Sequence, residues 1–144
     1  MASRFQQYTL IGALVVLAAS CASSGPQRAP TTNDIVTATD LQKNENEPIE
    51  NVIQRKISGV TVMRTNGSIS LQIRGNTSLK GEYQPPLYVL NDMPFHPGPD
   101  GLASLNRHEI DNIKVLKGPQ AAIYGIEGAH GVVVITTKNP GLPQ

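Results

Sequence analysis

The sequence is short of cysteine, aromatic residues and net charge, and each shortage narrows the range of proteins that it can encode. A single cysteine excludes any disulfide within the chain. Lys and Arg number 12 and Asp and Glu number 11, which excludes the strongly basic composition of a nucleic-acid-binding domain. Trp is absent and aromatic residues make up 4% of the chain. We therefore expect one modest domain with an aliphatic core.

The N-terminal apolar run favours a cleaved export signal, and a permanent membrane span is the alternative. Residues 10–19 form this run behind Arg4, and its last members are small. A spanning helix needs roughly 17–25 apolar residues, whereas a run of this length is typical of a cleaved export signal. We therefore predict a signal peptide over residues 1–20.

The one cysteine lies directly behind that signal. The run Leu17-Ala18-Ala19-Ser20-Cys21 resembles the lipobox of bacterial lipoproteins, although Ala18 stands where a larger aliphatic residue is usual. The resemblance implies a lipid on Cys21 that anchors the protein to the membrane. Ala22 follows, where an Asp would imply retention in the inner membrane. We expect an outer-membrane protein, anchored on the periplasmic face; the alternative is an ordinary secretory signal with a chance cysteine.

Residues 21–47 are rich in Ser, Thr, Asn, Gln, Pro and Glu and have no sustained apolar periodicity. This composition predicts a flexible, lipid-anchored tether. A β-prone patch inside it resembles the TonB box of TonB-dependent receptors, which implies pairing with the energy-transducing partner TonB by strand addition. A Thr-rich linker with a chance Ile-Val pair is the alternative. The patch comprises Asp34, Ile35, Val36, Thr37 and Ala38.

From residue 48 to residue 140, apolar residues recur with the spacing of helices and strands. Four consecutive β-branched residues over 132–135 predict a central strand. The strand–helix–strand order over 113–137 suggests a right-handed crossover. The fold class is α+β, with a mixed sheet of about four strands and short helices. We predict helices over 48–56, 102–110 (broken) and 121–124, and strands over 60–63, 68–74, 87–90, 113–117 and 132–137.

Five segments in order carry a family resemblance, namely residues 57–62, 71–75, 86–94, 110–118 and 121–138. Across residues 49–138 they resemble the plug domain of TonB-dependent outer-membrane receptors, particularly the SusC-like branch. Met93 departs from the family, which usually has glycine in that hairpin turn. In the family the plug sits inside a 22-stranded barrel of several hundred residues. Six residues follow Lys138, so we expect no transport channel from this chain itself.

The resemblance implies a non-enzymatic module that docks to an outer-membrane barrel protein or to TonB. Arg74 and Asp92 are the candidate interaction residues, although an arginine at a strand end is often simply solvated. The alternative function is a periplasmic module that binds a small ligand on the plug scaffold, and a hydrolase with an unrecognised site is more remote.

No cofactor, metal site or catalytic residue is predicted. His96, His108 and His130 lack metal-ligand spacing, and no nucleophile stands beside an obvious base. The glycine-rich stretch over 125–131 invites a nucleotide-binding interpretation. Phosphate-binding glycines, however, lie between a strand and the following helix, and here the helix comes first. These glycines are better explained as positive-φ residues of a tight connection.

Overall fold

The computed structural model describes residues 34–43, 45–74 and 83–141. Cys21 and the predicted signal peptide lie outside these residues. The helices are α1 (Ala38–Gln42) and α2 (Ile49–Lys56), with 3₁₀ turns over Leu102–Ser104 and Gly118–His130. The strands are β1 (Ile35–Thr37), β2 (Val60–Thr65), β3 (Ser68–Ile73), β4 (Leu87–Leu90), β5 (Met93–Phe95), β6 (Ile110–Leu116) and β7 (Val132–Thr137).

Five strands form a mixed sheet in the order β1-β6-β7-β4-β5. Strands β4 and β7 are parallel, whereas the other neighbouring pairs are antiparallel. The prediction of a mixed sheet in an α+β fold is confirmed, and β7 is its central strand. Strands β2 and β3 form a separate hairpin closed by Asn66 and Gly67, both with positive φ.

The main core lies on one face of the five-stranded sheet. Side chains of β6, β7 and β4 on this face pack with the apolar face of α2 and with the β2–β3 hairpin. The buried members include Ile53, Leu71, Ile113 and Ile135. On the opposite face, Val132 and Val89 pack with Ala121 of the 3₁₀ segment Gly118–His130 in a smaller cluster. The domain therefore closes its core with its own elements.

The predicted tether of residues 21–47 is wrong where the structure describes it. Strand β1 pairs with β6, and the side chains of Val36 in β1 and Leu41 in α1 are completely buried in the main core. The folded unit thus includes Asp34 and does not begin at Pro48. The sheet gains this edge strand because Ile35–Thr37 pairs with β6, and Leu41 of the following helix packs into the same core.

Two smaller predictions about the C-terminal third also fail. Strands β6 and β7 are antiparallel neighbours, so the segment between them is a connection and not a parallel crossover. The predicted broken helix over 102–110 is helical only at Leu102–Ser104, and Ile110 already begins β6. Both errors arise because local periodicity does not report strand direction or strand partners.

Candidate functional site

The segment that resembles a TonB box is held in the fold from its first residue. Ile35 lies opposite Lys114, and Val36 opposite Ile113. Lys117 Nζ lies 2.8 Å from Asp34 Oδ1 and donates to the carbonyl oxygen of Ser58 at 2.7 Å. Strand β1 is at the sheet edge, so one side of its backbone faces β6 and the other has no neighbouring strand among the described residues.

Helix α1 continues this segment and is fixed by a capping box. Thr37 Oγ1 accepts from Asp40 N, and Asp40 Oδ2 accepts from Thr37 N at 3.0 Å. The Lys56 ammonium, 2.8 Å from Asp40 Oδ1, and the hydrogen bonds from Thr37 lower the pKa of Asp40 to about 2. Arg107 Nη1 donates to the carbonyl oxygen of Leu41 at 3.0 Å. Residues 34–43 are thus attached by side chains as well as by strand pairing.

Asp92 occupies the turn between β4 and β5. It is exposed, with φ of 65°, and follows Asn91 with φ of 47°. The Asn91 side chain fixes the turn, since its Oδ1 accepts from Thr137 N and its Nδ2 donates to Thr137 Oγ1, at 2.9 and 2.8 Å. Met93, where the resemblance suggests glycine, already belongs to β5, so its departure leaves the positive-φ positions of the turn untouched.

Arg74 follows the end of β3 and is exposed. Its backbone N donates to the carbonyl oxygen of Gly59 at 2.7 Å, which closes the base of the β2–β3 hairpin. Arg74 and Asp92 lie on different sheets, and no hydrogen bond or ion pair joins these two described residues. The two candidate interaction residues therefore do not form one site.

A groove of about 630 Å³ between the β2–β3 hairpin and the β5 edge was missed by sequence reasoning. Its walls carry five prolines, and its polar groups include Ser70, Tyr88 and His96. The Tyr88 hydroxyl accepts from Leu71 N at 3.1 Å, and the hydroxyl of Tyr83 contacts that of Ser70. Burial raises the pKa of Tyr88. The recurrence of proline over 85–99 was the one available sequence signal.

Glu50 is a buried carboxylate that sequence reasoning also missed. It is 1% exposed in the first turn of α2, and its Oε1 accepts from Leu102 N at 2.5 Å. Its Oε2 has no hydrogen-bond partner. Gly101 lies so close that a Cβ there would collide with Glu50 Oε1. Glu50 therefore connects α2 to the loop that precedes β6.

The glycine-rich stretch is a tight connection within the 3₁₀ segment Gly118–His130. Gly125 and Gly131 have φ of 63° and 91°, and a Cβ on Gly128 would collide with the carbonyl oxygen of Ala121. These glycines serve backbone geometry, as the sequence interpretation proposed. Among the residues described, no three His, Cys, Asp or Glu side chains cluster as metal ligands, and no helix has the length and apolarity to cross a membrane.

Comparison with known proteins gives a consistent result. A family model described as the TonB-dependent receptor plug domain matches residues 26–132. TonB-dependent receptor P26 of Formosa agariphila is 32% identical over 72% of this chain and 11% of its own. TonB-dependent receptor SusC of Bacteroides thetaiotaomicron is 30% identical over 69% of this chain and 11% of its own. The matched part of the chain thus spans about a tenth of these relatives.

The solved structures agree with the sequence matches. A structure of the RagAB peptide importer in its open-open state aligns with a TM-score of 0.58 at 29% identity. The alignment covers 82% of this chain and 14% of the importer chain. The similarity therefore extends over most of the fold described here and over a small part of a much longer protein.

Proposed function

The chain belongs to the family of TonB-dependent receptor plug domains, and from that membership we propose that it acts as a lipid-anchored interaction module of an outer-membrane uptake system. One observation carries the proposal: the plug fold buries its main core between its own sheet, helix α2 and hairpin. Such a domain has stable surfaces to present to a partner without further elements. Its proposed role is binding and not catalysis, in keeping with relatives that are named TonB-dependent receptors.

The two edges of the five-stranded sheet differ in their capacity to bind a partner strand. Strand β5 contains Pro94, which has no N–H to donate, so this edge resists strand addition. Strand β1 contains no proline, and it carries the segment that resembles a TonB box. We therefore place the TonB contact at the outer edge of β1 over Ile35–Thr37, with no need for the strand to leave the sheet.

Anchoring at Cys21 is the second part of the proposal. A lipid there would hold the domain at the periplasmic face of the outer membrane. Metabolic labelling with a fatty acid should mark the wild-type chain in the membrane fraction, and Cys21→Ser should lose the label and be released. Label that persists in Cys21→Ser would contradict lipidation at this residue.

A binding titration tests the interaction role. In the chain from Cys21 to Gln144, the only cysteine lies outside the described fold, so a fluorophore on Cys21 leaves that fold unmodified. We expect fluorescence anisotropy to rise to saturation with a purified TonB-dependent receptor of the same organism or with the periplasmic domain of TonB. Asp92→Asn removes the charge and still suits the left-handed backbone of this turn, so it should weaken receptor binding and leave the thermal midpoint unchanged. Absence of saturation with both proteins would contradict the proposed role.

The groove supports a second candidate function, a ligand-binding module. Its mostly apolar lining and the hydroxyl groups of Ser68 and Ser70 suit a short extended peptide. The structural similarity to a peptide importer makes short peptides the first ligands to test. Backbone amide chemical shifts of residues 68–70 and of Phe95, His96 and Gly98 should move on titration with tetrapeptides if this candidate is correct. Unchanged shifts at millimolar peptide would leave only the interaction role.

A further inference from the structure

Two strongly exposed isoleucines lie in the connection between β6 and β7. Ile123 is 79% exposed and Ile126 is 90% exposed, and both lie in the 3₁₀ segment Gly118–His130. Met93 is the other large apolar side chain with such exposure in the described part of the chain. Single exposed apolar residues are ordinary on protein surfaces. Two of these three, however, fall within four positions of one another in the same connection.

The segment that carries these isoleucines begins and ends at the end of the sheet where the chain enters the fold. Strand β1 begins beside Asp34 and runs antiparallel to β6, so its start lies near the end of β6. Leu116 at that end pairs with Val132, the first residue of β7. The 3₁₀ segment connects these two strand ends, and the ion pair between Asp34 and Lys117 joins its start to the entering chain. The N-terminal chain and both ends of the segment that carries the isoleucines therefore lie at one end of the sheet.

The length of the entering chain keeps this end close to a membrane. Asp34 is thirteen positions after Cys21, and thirteen residues span at most about 45 Å. With a lipid on Cys21, which is part of the proposed function and a premise here, the 3₁₀ segment would always remain within reach of the bilayer surface. A tether of this kind raises the effective concentration of lipid around even a weak apolar contact.

We propose that Ile123 and Ile126 insert into the interface of the membrane that holds the lipid anchor. The lipid need not be anionic, because Lys117 at this end is paired with Asp34 and Glu127 follows the isoleucines directly. This second contact orients the sheet with the start of β1 toward the membrane. The turn at Asp92, at the opposite end of β4, then faces away from the lipid and is open to a protein partner.

The absence of Trp and the single cysteine make a direct test available. The chain from Cys21 to Gln144 would be coupled through Cys21 to a maleimide-bearing phospholipid in phosphatidylcholine vesicles with brominated acyl chains. Ile126→Trp places a fluorescent reporter at the proposed contact. Met93→Trp is the matched control, since Met93 is similarly exposed but pairs with Leu90 at the other end of β4. Both positions are exposed, and circular dichroism would verify that both variants keep the native fold.

We expect bromine to quench the fluorescence of Ile126→Trp strongly and that of Met93→Trp little, equally at low and high ionic strength. No quenching in the anchored Ile126→Trp chain would overturn the inference and leave the isoleucines to a protein partner. Equal quenching of both variants, or quenching of Ile126→Trp only with added anionic lipid, would also overturn it. Because the anchor is attached chemically, failure of lipidation in cells would appear in the fatty-acid labelling and not in this experiment.

Discussion

Leu41→Ala tests whether the segment before Pro48 is part of the cooperative fold. Leu41 lies in α1, and its side chain is completely buried in the main core. Replacing a buried leucine by alanine costs about 2.7–5.0 kcal/mol, because the lost transfer energy adds to the energy of the cavity. A domain of this size has a free energy of unfolding of about 5–15 kcal/mol, so this single change should remove a large part of it.

Urea unfolding of the chain from Cys21 to Gln144 measures this loss. We expect a lower midpoint for Leu41→Ala with an unchanged m-value, because the same surface is exposed on unfolding. Gln42→Ala is the matched control, since Gln42 is the exposed neighbour in the same helix and a surface change of this kind stays within about 0.5 kcal/mol.

Two results would show that residues 34–43 are not part of the cooperative fold. Equal midpoints for Leu41→Ala and Gln42→Ala would mean that α1 does not pack on the core in solution. A destabilisation well below about 2.7 kcal/mol would fall under the range expected for such substitutions. If the amide of Val36 in the wild type also lacked protection from hydrogen exchange, residues 34–43 would detach separately from the rest of the domain. In that case the flexible-tether interpretation of the sequence would be correct for this segment.

Other predictions address single contacts. Because the pKa of Asp40 is lowered from 3.8 to about 2, its stabilising contribution is complete above pH 3.8 and is lost as the pH falls toward 2; Asp40→Asn should remove that part of the acid dependence of the thermal midpoint. Gly101→Ala should lower the free energy of unfolding by more than about 1 kcal/mol, because Gly101 has a positive φ and a Cβ there would collide with Glu50. Gly98→Ala is the control, since a Cβ at Gly98 would meet open space. Val134→Asp should lower the thermal midpoint strongly, because it puts a charge in the central strand; an unchanged midpoint would mean that this face is solvated.

The sequence predicted those elements whose residues carry a strong local signal. Helix α2 follows from apolar residues at helical spacing behind Pro48, and the position of β7 follows from consecutive β-branched residues. Strand β1 and helix α1 were not predicted because the Ile35-Val36 pair and Leu41 are the only large apolar residues of a polar stretch, which is too few to show a period. Their burial depends on Ile113 and its neighbours, which lie far along the chain.

The candidate site was less predictable for the same reason. Glu50 appeared as an ordinary acidic residue in a first helical turn, where it would favour the helix dipole. Its burial is determined by Leu102 N and by the closeness of Gly101, and neither is encoded near Glu50. The groove likewise depends on the packing of the β2–β3 hairpin against the β5 edge. The spacing of apolar residues along the sequence does not indicate that packing. The turn at Asn91 and Asp92, by contrast, agrees with a local property, because Asn and Asp tolerate the left-handed conformation that both residues adopt.

We propose above that this plug domain docks to a receptor of the outer membrane through surfaces that face away from the lipid. Site-specific photo-crosslinking in living cells tests it most directly, with the photoreactive residue at Asp92 and, as the control, at Ile126. We expect a covalent adduct with a TonB-dependent receptor from position 92 and no receptor adduct from position 126. A receptor adduct from position 126 with none from position 92 would contradict it.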